Sequence, residues 1–160
     1  MGSEITRIID ELEREHAGDP WHGSPLRSIL DGIEAAQAAR RPVPGAHSIW
    51  ELVLHVTGWK REVARRAAGG AASEPEAGDW PAVGDATEAR WKKALADLEA
   101  AHRDLIAAIA ALPEHKLFEA TSDPRDKPLG AGVSYYVLLH GIVQHDVYHA
   151  GQIALLKNAV

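Results

Sequence analysis

Three histidines are spaced so that a helical fold would bring their imidazoles together. His145 and His149 lie four residues apart, so on a helix they occupy one face, with Cβ atoms about 6 Å apart. His55 lies in an earlier apolar stripe between Leu52 and Trp59. The later stripe, which contains both other histidines, is completed by Leu138, Ile142, Gln152 and Leu156. Both patterns direct the three imidazoles toward the protein interior.

Inward imidazoles need either hydrogen-bond partners in the core or a metal ion. A single inward histidine is usually a hydrogen-bonded core residue, but no acidic partner is evident in either stripe. Three buried imidazoles without partners would cost about 1–3 kcal/mol each. One divalent cation satisfies all three, so the pattern favours a metal site at His55, His145 and His149. His55 lies about 10 Å from the start of its helix, and His149 lies about 13 Å from the end of its own. These depths match if the two helices are antiparallel.

Three neutral imidazoles leave coordination positions open, which is typical of a catalytic metal site. Zinc is the default ion, and imidazole also suits nickel, iron and copper. The ion could lower the pKa of bound water to about 7 or hold a small thiol as its thiolate. Asp146 follows His145 where metalloproteases have glutamate, and on a helix it points about 100° away, so peptidase activity is not expected.

The remaining polar candidates are less specific. His102 continues the apolar stripe of another helix, as a fourth ligand or as a core or neighbouring group. Gln152, one turn after His149, could hold a water, support the site or pair with backbone. Asp146 and Tyr148 could orient a ligand imidazole or face solvent or a dimer contact. We expect His140 to face another neighbour and three further histidines to be solvated: His16, His47 and His115.

Helical spacing continues through nearly the whole chain, which predicts an all-α protein. A short helix is expected at about residues 3–16, followed by one from Ser24-Pro25 to the prolines at 42 and 44. Ser48 and Glu51 form a capping box for the next helix, which ends near Ala68. Two further helices are expected, from residue 85 or 87 to 112 and from 135 to about 158. Four long helices and a short N-terminal one pack as a four-helix bundle in a single domain, residues 1–160.

We expect the two long segments that connect the helices to be irregular. Residues 70–86 form a loop of small, acidic and proline residues, and loops this long usually serve function. Trp80 within it is not expected to lie wholly in water. Proline at 113, 124 and 128 predicts an irregular stretch before the last helix.

Composition excludes several classes of protein. The absence of cysteine rules out disulfides, thiolate metal sites and a cysteine nucleophile, and is compatible with the cytoplasm. A net charge of −6 argues against nucleic-acid binding. No apolar run approaches the length of a membrane span, and the first residues do not resemble a signal peptide.

Several motifs together resemble the DinB/YfiT-like superfamily of small metal-binding four-helix bundles. They are the His55 segment, HxxxH followed by A-G-Q-I at 145–153, W-H-G at 21–23 and D-W-P at 79–81. The resemblance covers essentially the whole chain. It implies an up-down-down-up bundle, often a homodimer, with the His55, His145 and His149 triad holding one metal in an open cleft. It also gives His22 a role at the edge of the site.

Characterised relatives include transferases and isomerases that act through low-molecular-weight thiols. The resemblance thus implies a metal-dependent transferase that uses a small thiol and a small-molecule substrate. A hydrolase with metal-bound water is the first alternative. A non-catalytic protein that binds a metal or small molecule is the second. Under this interpretation, the candidates for supporting the triad or contacting substrate are Gln152, Trp59, His102 and His22.

Overall fold

The computed structural model describes residues 2–121 and 132–160, and the regular structure of these residues is helical. One isolated antiparallel bridge joins Ala120 to Ser134. The prolines at 124 and 128 lie outside the described residues. The helices are α1 (Glu4–Ala17), α2 (Leu26–Leu30), α3 (Ala35–Ala39), α4 (Ile49–Ala67), α5 (Glu88–Ala111), a 3₁₀ turn (Glu114–Lys116) and α6 (Tyr135–Lys157).

The long helices begin where the sequence supplies a capping side chain. At α4, Ser48 Oγ accepts from Glu51 N at 3.2 Å, and Glu51 Oε2 accepts from Ser48 N at 2.8 Å. This reciprocal box satisfies two amides that have no partner inside the helix. A serine or threonine hydroxyl also caps each of the other long helices, at Ser3, Thr87 and Ser134. The caps confirm the predicted starts of these helices.

The directions of the four long helices follow from contacts between them. Trp50 and Trp91 pack near the starts of α4 and α5, with ring centroids 5.1 Å apart, while Lys60 and His102 meet further along both, so these helices are parallel. Helix α6 is antiparallel to α4, because residues 55 and 60 of α4 contact residues 149 and 146 of α6 respectively.

Helix α1 runs antiparallel to α5. Its first residue, Glu4, donates its backbone N–H to Glu114 just beyond the end of α5 at 2.9 Å. At the other end of α1, His16 stacks on His102 of α5 with ring centroids 3.8 Å apart. The order is therefore up-down-down-up, as expected, and α4 and α6 have the antiparallel relation that matches the depths of their histidines.

The segment between α1 and α4 differs from the sequence-based expectation. The apolar spacing there predicts one helix up to Pro42, but the structure has the two short helices α2 and α3. Asp31 adopts an extended ψ of 136° and Gly32 a φ of 74°, which a continuing helix cannot accommodate. Ile33 is nevertheless buried, so the apolar spacing is satisfied without a continuous helix. Helix α1, expected as an accessory helix, is instead the first long helix of the bundle.

A buried polar layer separates two apolar clusters in the interior. On α4, one cluster ends at Val56 and the other begins at Val63, with Lys60 between them. The same interruption occurs at His102 of α5 and at Asp146 of α6. Helix α1 belongs to one cluster only, and its buried polar residues follow Leu12. We call the side chains of this interruption the polar layer; they are Glu15, His16, Lys60, His102 and Asp146. The triad lies beside this layer.

Candidate metal centre

The structure brings the three predicted imidazoles together. His55 Nε2 and His145 Nε2 are 2.9 Å apart. The ring of His149 has its centroid 4.7 Å from that of His55 and 4.5 Å from that of His145. One nitrogen from each ring lies within 4.8 Å of the others. His55 and His149 are buried, whereas His145 is partly exposed at the edge of the bundle.

The other nitrogen of each ring faces a protein oxygen. His55 Nδ1 donates to the Asp79 carbonyl oxygen at 2.7 Å, and His149 Nδ1 donates to Gln152 Oε1 at 2.7 Å. His145 Nδ1 faces Asp146 Oδ1 at 3.5 Å. A ring that carries its proton on Nδ1 has a free lone pair on Nε2. Nε2 of His55 and of His149 is therefore free to ligate, and Nε2 of His145 lies beside that of His55.

This arrangement suits a cation. Burial lowers the pKa of His55, and burial lowers the pKa of His149 to about 4, although the Nδ1 hydrogen bonds act in the opposite direction. Both rings are therefore neutral at pH 7, which is the form that ligates metals. His55 Nε2 and His145 Nε2 lie 2.9 Å apart, and a ligand nitrogen of His149 lies within 4.8 Å of both. The donor set therefore fits one divalent ion.

The loop at 70–86 reaches the triad through two adjacent residues. Trp80 stacks between His47 and His55, with ring centroids 3.5 Å and 3.9 Å away. The backbone oxygen of Asp79 accepts from His55 Nδ1, and Oδ1 of the same residue accepts from Trp59 Nε1 at 2.7 Å. Trp80 is 37% exposed, which confirms that it does not lie wholly in water.

Trp59 and Gln152 lie where the sequence predicts them, next to the triad. The Trp59 ring meets His55 and His145 edge-on at 6.4 Å and 6.3 Å between centroids. Gln152 supports His149 directly. Of the described residues, the sequence reasoning missed Asp79 as a partner of His55 and His47 as a partner of Trp80. Asp79 and Trp80 lie in the D-W-P motif, which marked the segment but not these contacts.

His22 and His102 are not brought to the triad. His22 is exposed, and none of the contacts that describe the triad involves it. His102 is buried in the polar layer, with Nδ1 3.4 Å from Lys60 Nζ. Burial, followed by the Lys60 charge, lowers the pKa of His102 to about 3, so this ring is also neutral.

The expectation that His16 is solvated is wrong. His16 is 1% exposed, stacks on His102, and hydrogen-bonds Glu99 at 2.9 Å through Nε2. Its ring packs against α5 at the end of α1, which removes it from solvent. His47 is partly exposed against Trp80, and His115 is exposed. His140 faces Glu4, Glu11 and Tyr136, a different neighbourhood from the triad, as expected.

Asp146 does not face solvent or a partner chain. It forms an ion pair with Lys60 in which neither side chain has exposed surface. Burial alone would raise the pKa of Asp146, but the Lys60 ammonium outweighs it and the pKa lies below its usual range. Helical spacing could have indicated that Lys60 is buried, because it lies four residues after Val56 and three before Val63. The buried face of α6 is centred on Leu139, Ile142, Asp146 and Ile153, so His145 and Gln152 lie at its edge.

Two cavities open beside the triad. The first has a volume of about 420 Å³ and reaches His149 and Gln152 between α6, residues 43–47 and Trp80. The second, of about 260 Å³, reaches His145 and is bounded by Trp59, Arg66 and the first turns of α6. A small molecule can therefore approach the triad from either side.

Comparison with known proteins agrees with this fold. A family model for the DinB superfamily matches residues 21–153. The chain belongs to the DinB superfamily. A crystal structure described as a conserved protein of locus from Enterococcus faecalis is similar over 100% of this chain and 98% of that one, with 17% identity and a TM-score of 0.70. That similarity of fold includes α1, which precedes the residues matched by the family model. No curated protein is significantly similar to this DinB-superfamily chain. None of the described helices is long and apolar enough to cross a membrane.

Proposed function

We propose that this DinB-superfamily protein is a metal-dependent enzyme that transfers a small thiol to an electrophilic small molecule in the cytoplasm. His55, His145 and His149 would hold one divalent ion, zinc first, with nickel and iron as the other candidates. One observation carries the proposal: one nitrogen from each of the three imidazoles lies within 4.8 Å of the others, while each Nδ1 faces an oxygen. Histidines of a core that only hydrogen-bond one another do not need an oxygen partner at each Nδ1.

A bound divalent ion supplies Lewis acidity, which lowers the pKa of a thiol or water that reaches it. The chain's own residues supply orientation and partial exclusion of water. Asp79 and Gln152 fix the rings of His55 and His149, and Trp80 covers one face of His55. The two cavities leave room for two reactants beside the triad.

The placement of carboxylates favours a thiol over water as the nucleophile. Asp79 and Asp146 are the carboxylates that approach the triad among the described residues, and both lie on the Nδ1 side of a ring. Neither is placed to accept a proton from a nucleophile on the Nε2 side. A thiol ionises near neutral pH more readily than water and needs less help from a base. In the transfer, a C–S bond forms, the leaving group departs with its bonding electrons, and the thiol proton goes to solvent.

The metal site is tested by element-resolved metal analysis of protein purified without a histidine tag. We expect about one divalent ion per chain in the wild type and in His115→Ala, whose side chain is exposed on the 3₁₀ turn. His149→Ala should lose stoichiometric metal. A His55→Ala/His149→Ala double variant that keeps a full complement of metal would contradict the site.

The reaction class is tested with cobalt-substituted protein and common cellular thiols. We expect a thiol to change the cobalt spectrum and turnover to require metal, thiol and electrophile together. Hydrolysis of esters or amides without any thiol would instead favour the hydrolase alternative. A spectrum and activity unaffected by every thiol would favour a binding protein.

We also propose that the protein forms a homodimer through helix faces. Alanine-rich faces such as that of α5 allow helices to approach closely. Sedimentation at tens of micromolar protein should give twice the 17.3 kDa chain mass. A 17 kDa species alone would contradict self-association.

A further inference from the structure

The cavity on the His149 side has a wall without an ionised side chain among the described residues. Its apolar part consists of Val43, Leu52, Trp80, Tyr148, Leu155 and Leu156. Its polar groups include the imidazoles of His47 and His149 and the amide of Gln152, and Tyr148 and Trp80 each carry one polar hydrogen. None of the described lysines and arginines lines it, although the chain contains 17 such residues in all. The wall therefore offers no permanent positive charge to an anionic ligand.

Exposed apolar side chains concentrate at the mouth of this cavity. The described residues include seven large apolar side chains with exposed surface, and four of them border it: Val43, Trp80, Tyr148 and Leu155. Leu155 is 70% exposed and Tyr148 is 65% exposed. An apolar patch around a concave opening is typical of a site for a small ligand.

The Gln152 amide gives the cavity a hydrogen-bond donor of fixed orientation beside the triad. Gln152 Oε1 accepts the proton of His149 Nδ1, so the oxygen of this amide is committed to the triad. The amide NH₂ is then the part of Gln152 that a ligand in the cavity can use. A ligand with an acceptor oxygen near Gln152 would lie directly beside His149.

We propose that this cavity binds an uncharged, largely apolar small molecule with one hydrogen-bond acceptor, such as a carbonyl oxygen, next to Gln152. In the enzyme this molecule is the electrophile, an assignment that rests on the proposed function. In the metal-free protein, a carboxylate placed here would lose its hydration without gaining a cationic side chain from the described residues, which is strongly unfavourable. A second copy of the chain is a poorer occupant. A stable interface needs about 800 Å² per partner, whereas this surface is the rim of a cavity.

The test compares two probes of the same shape and different charge, 2-naphthamide and 2-naphthoate. Binding to the full chain is measured by titration, first after chelator treatment and then with zinc. In the chelator-treated protein, we expect the neutral amide to bind at least 10-fold more tightly than the carboxylate. This measurement involves no metal, so its result does not depend on whether the triad binds zinc. The proposal for the cavity can therefore fail while the proposed function stands, and the reverse.

Two charge variants locate the binding site. Leu155→Lys adds a cation at the rim, and the exposed position of Leu155 tolerates a longer polar side chain. It should reduce the preference for the amide at least 10-fold and leave the sedimentation of the protein unchanged. Gln144→Lys adds the same charge at an exposed position of α6 that lines neither cavity beside the triad, and should leave the preference intact.

Three results would overturn the proposal. The first is binding of the carboxylate as tightly as the amide to the chelator-treated wild type. The second is an equal response of the preference to Leu155→Lys and Gln144→Lys. The third is failure of both probes to bind, which together with loss of a dimer in Leu155→Lys would show that a second copy covers the cavity.

Discussion

Lys60 of α4 and Asp146 of α6 form an ion pair with no exposed surface on either side chain, directly behind the ligand candidate His145. The Asp146 carboxylate has one oxygen toward the Lys60 ammonium and the other 3.5 Å from His145 Nδ1. The pair therefore joins the polar layer to the triad. It fixes Asp146 in a position from which it can orient His145.

Replacing Lys60 with methionine should destabilise the protein by about 3–5 kcal/mol, because Asp146 would remain buried without its counter-charge. The measurement is urea unfolding of the metal-free protein. Lys93→Met is the matched control, since Lys93 pairs with Asp97 on the exposed surface of α5. It should change stability by no more than about 0.5 kcal/mol. Similar losses in the two variants would contradict the role assigned to the buried pair.

Replacing Gln152 with leucine should weaken metal binding about 10–100-fold, because His149 Nδ1 would lose its acceptor. Competition with a chromophoric chelator measures this affinity. Gln144→Leu makes the same chemical change at an exposed position of the same helix and should leave the affinity unaltered. An unchanged affinity in Gln152→Leu would show that the amide does not support the ligand.

Stability of the metal-free protein should fall as pH drops below about 6.5. Burial lowers the pKa of four histidines, so the unfolded chain binds more protons than the native one in that range. His149, at about 4, and His102, at about 3, are the largest shifts. The other two are His16 and His55. Thermal unfolding between pH 4 and 7 measures the effect, and constant stability across that range would contradict it.

Glu15 should produce the opposite trend at higher pH. Burial, followed by the Asp146 charge, raises its pKa to about 8, although Lys60 acts against the shift. Neither Glu15 oxygen has a hydrogen-bond partner among the described residues. The native state keeps this proton while the unfolded chain loses it, so stability falls as pH rises toward 8.

Glu15→Gln isolates this group from the histidines. Between pH 6.5 and 8 the wild type should lose about 1–2 kcal/mol that the variant keeps. Exposed Glu13→Gln on the same helix is the control and should follow the wild type. Parallel pH profiles for wild type and Glu15→Gln would rule out a protonated Glu15.

Removing the indole of Trp80 should affect the cavity more than the metal. Trp80→Ala removes the stacking surface beside His55 and part of the cavity wall. We expect 2-naphthamide to bind about 2–10-fold more weakly, which corresponds to the usual strength of one aromatic contact. Metal content should stay near one ion per chain, because Asp79 still holds His55 through its backbone oxygen. If Trp80→Ala lost metal but bound 2-naphthamide as the wild type does, Trp80 would support the metal site and not the cavity.

Local signals in the sequence were sufficient for the starts of the long helices and for the shared face of His145 and His149. The capping box at Ser48 and Glu51 fixes the start of α4, and four-residue spacing puts His145 and His149 on one face. Apolar spacing failed between α1 and α4, because periodicity reports which residues are buried and not whether the backbone between them is continuous. Ile33 is buried across a break at Gly32, which adopts a positive φ.

The sequence by itself determined long capped helices that carry His145 and His149 on one face and His55 on the apolar face of another, since helix periodicity and capping depend on neighbouring residues. Its motifs added the resemblance to the DinB superfamily. Only the tertiary structure decided what stands behind and around those histidines. The Lys60–Asp146 pair joins positions 86 residues apart, and Trp80 reaches His55 from a loop without periodicity. Such contacts depend on how helices and loops pack in space, which no local spacing encodes.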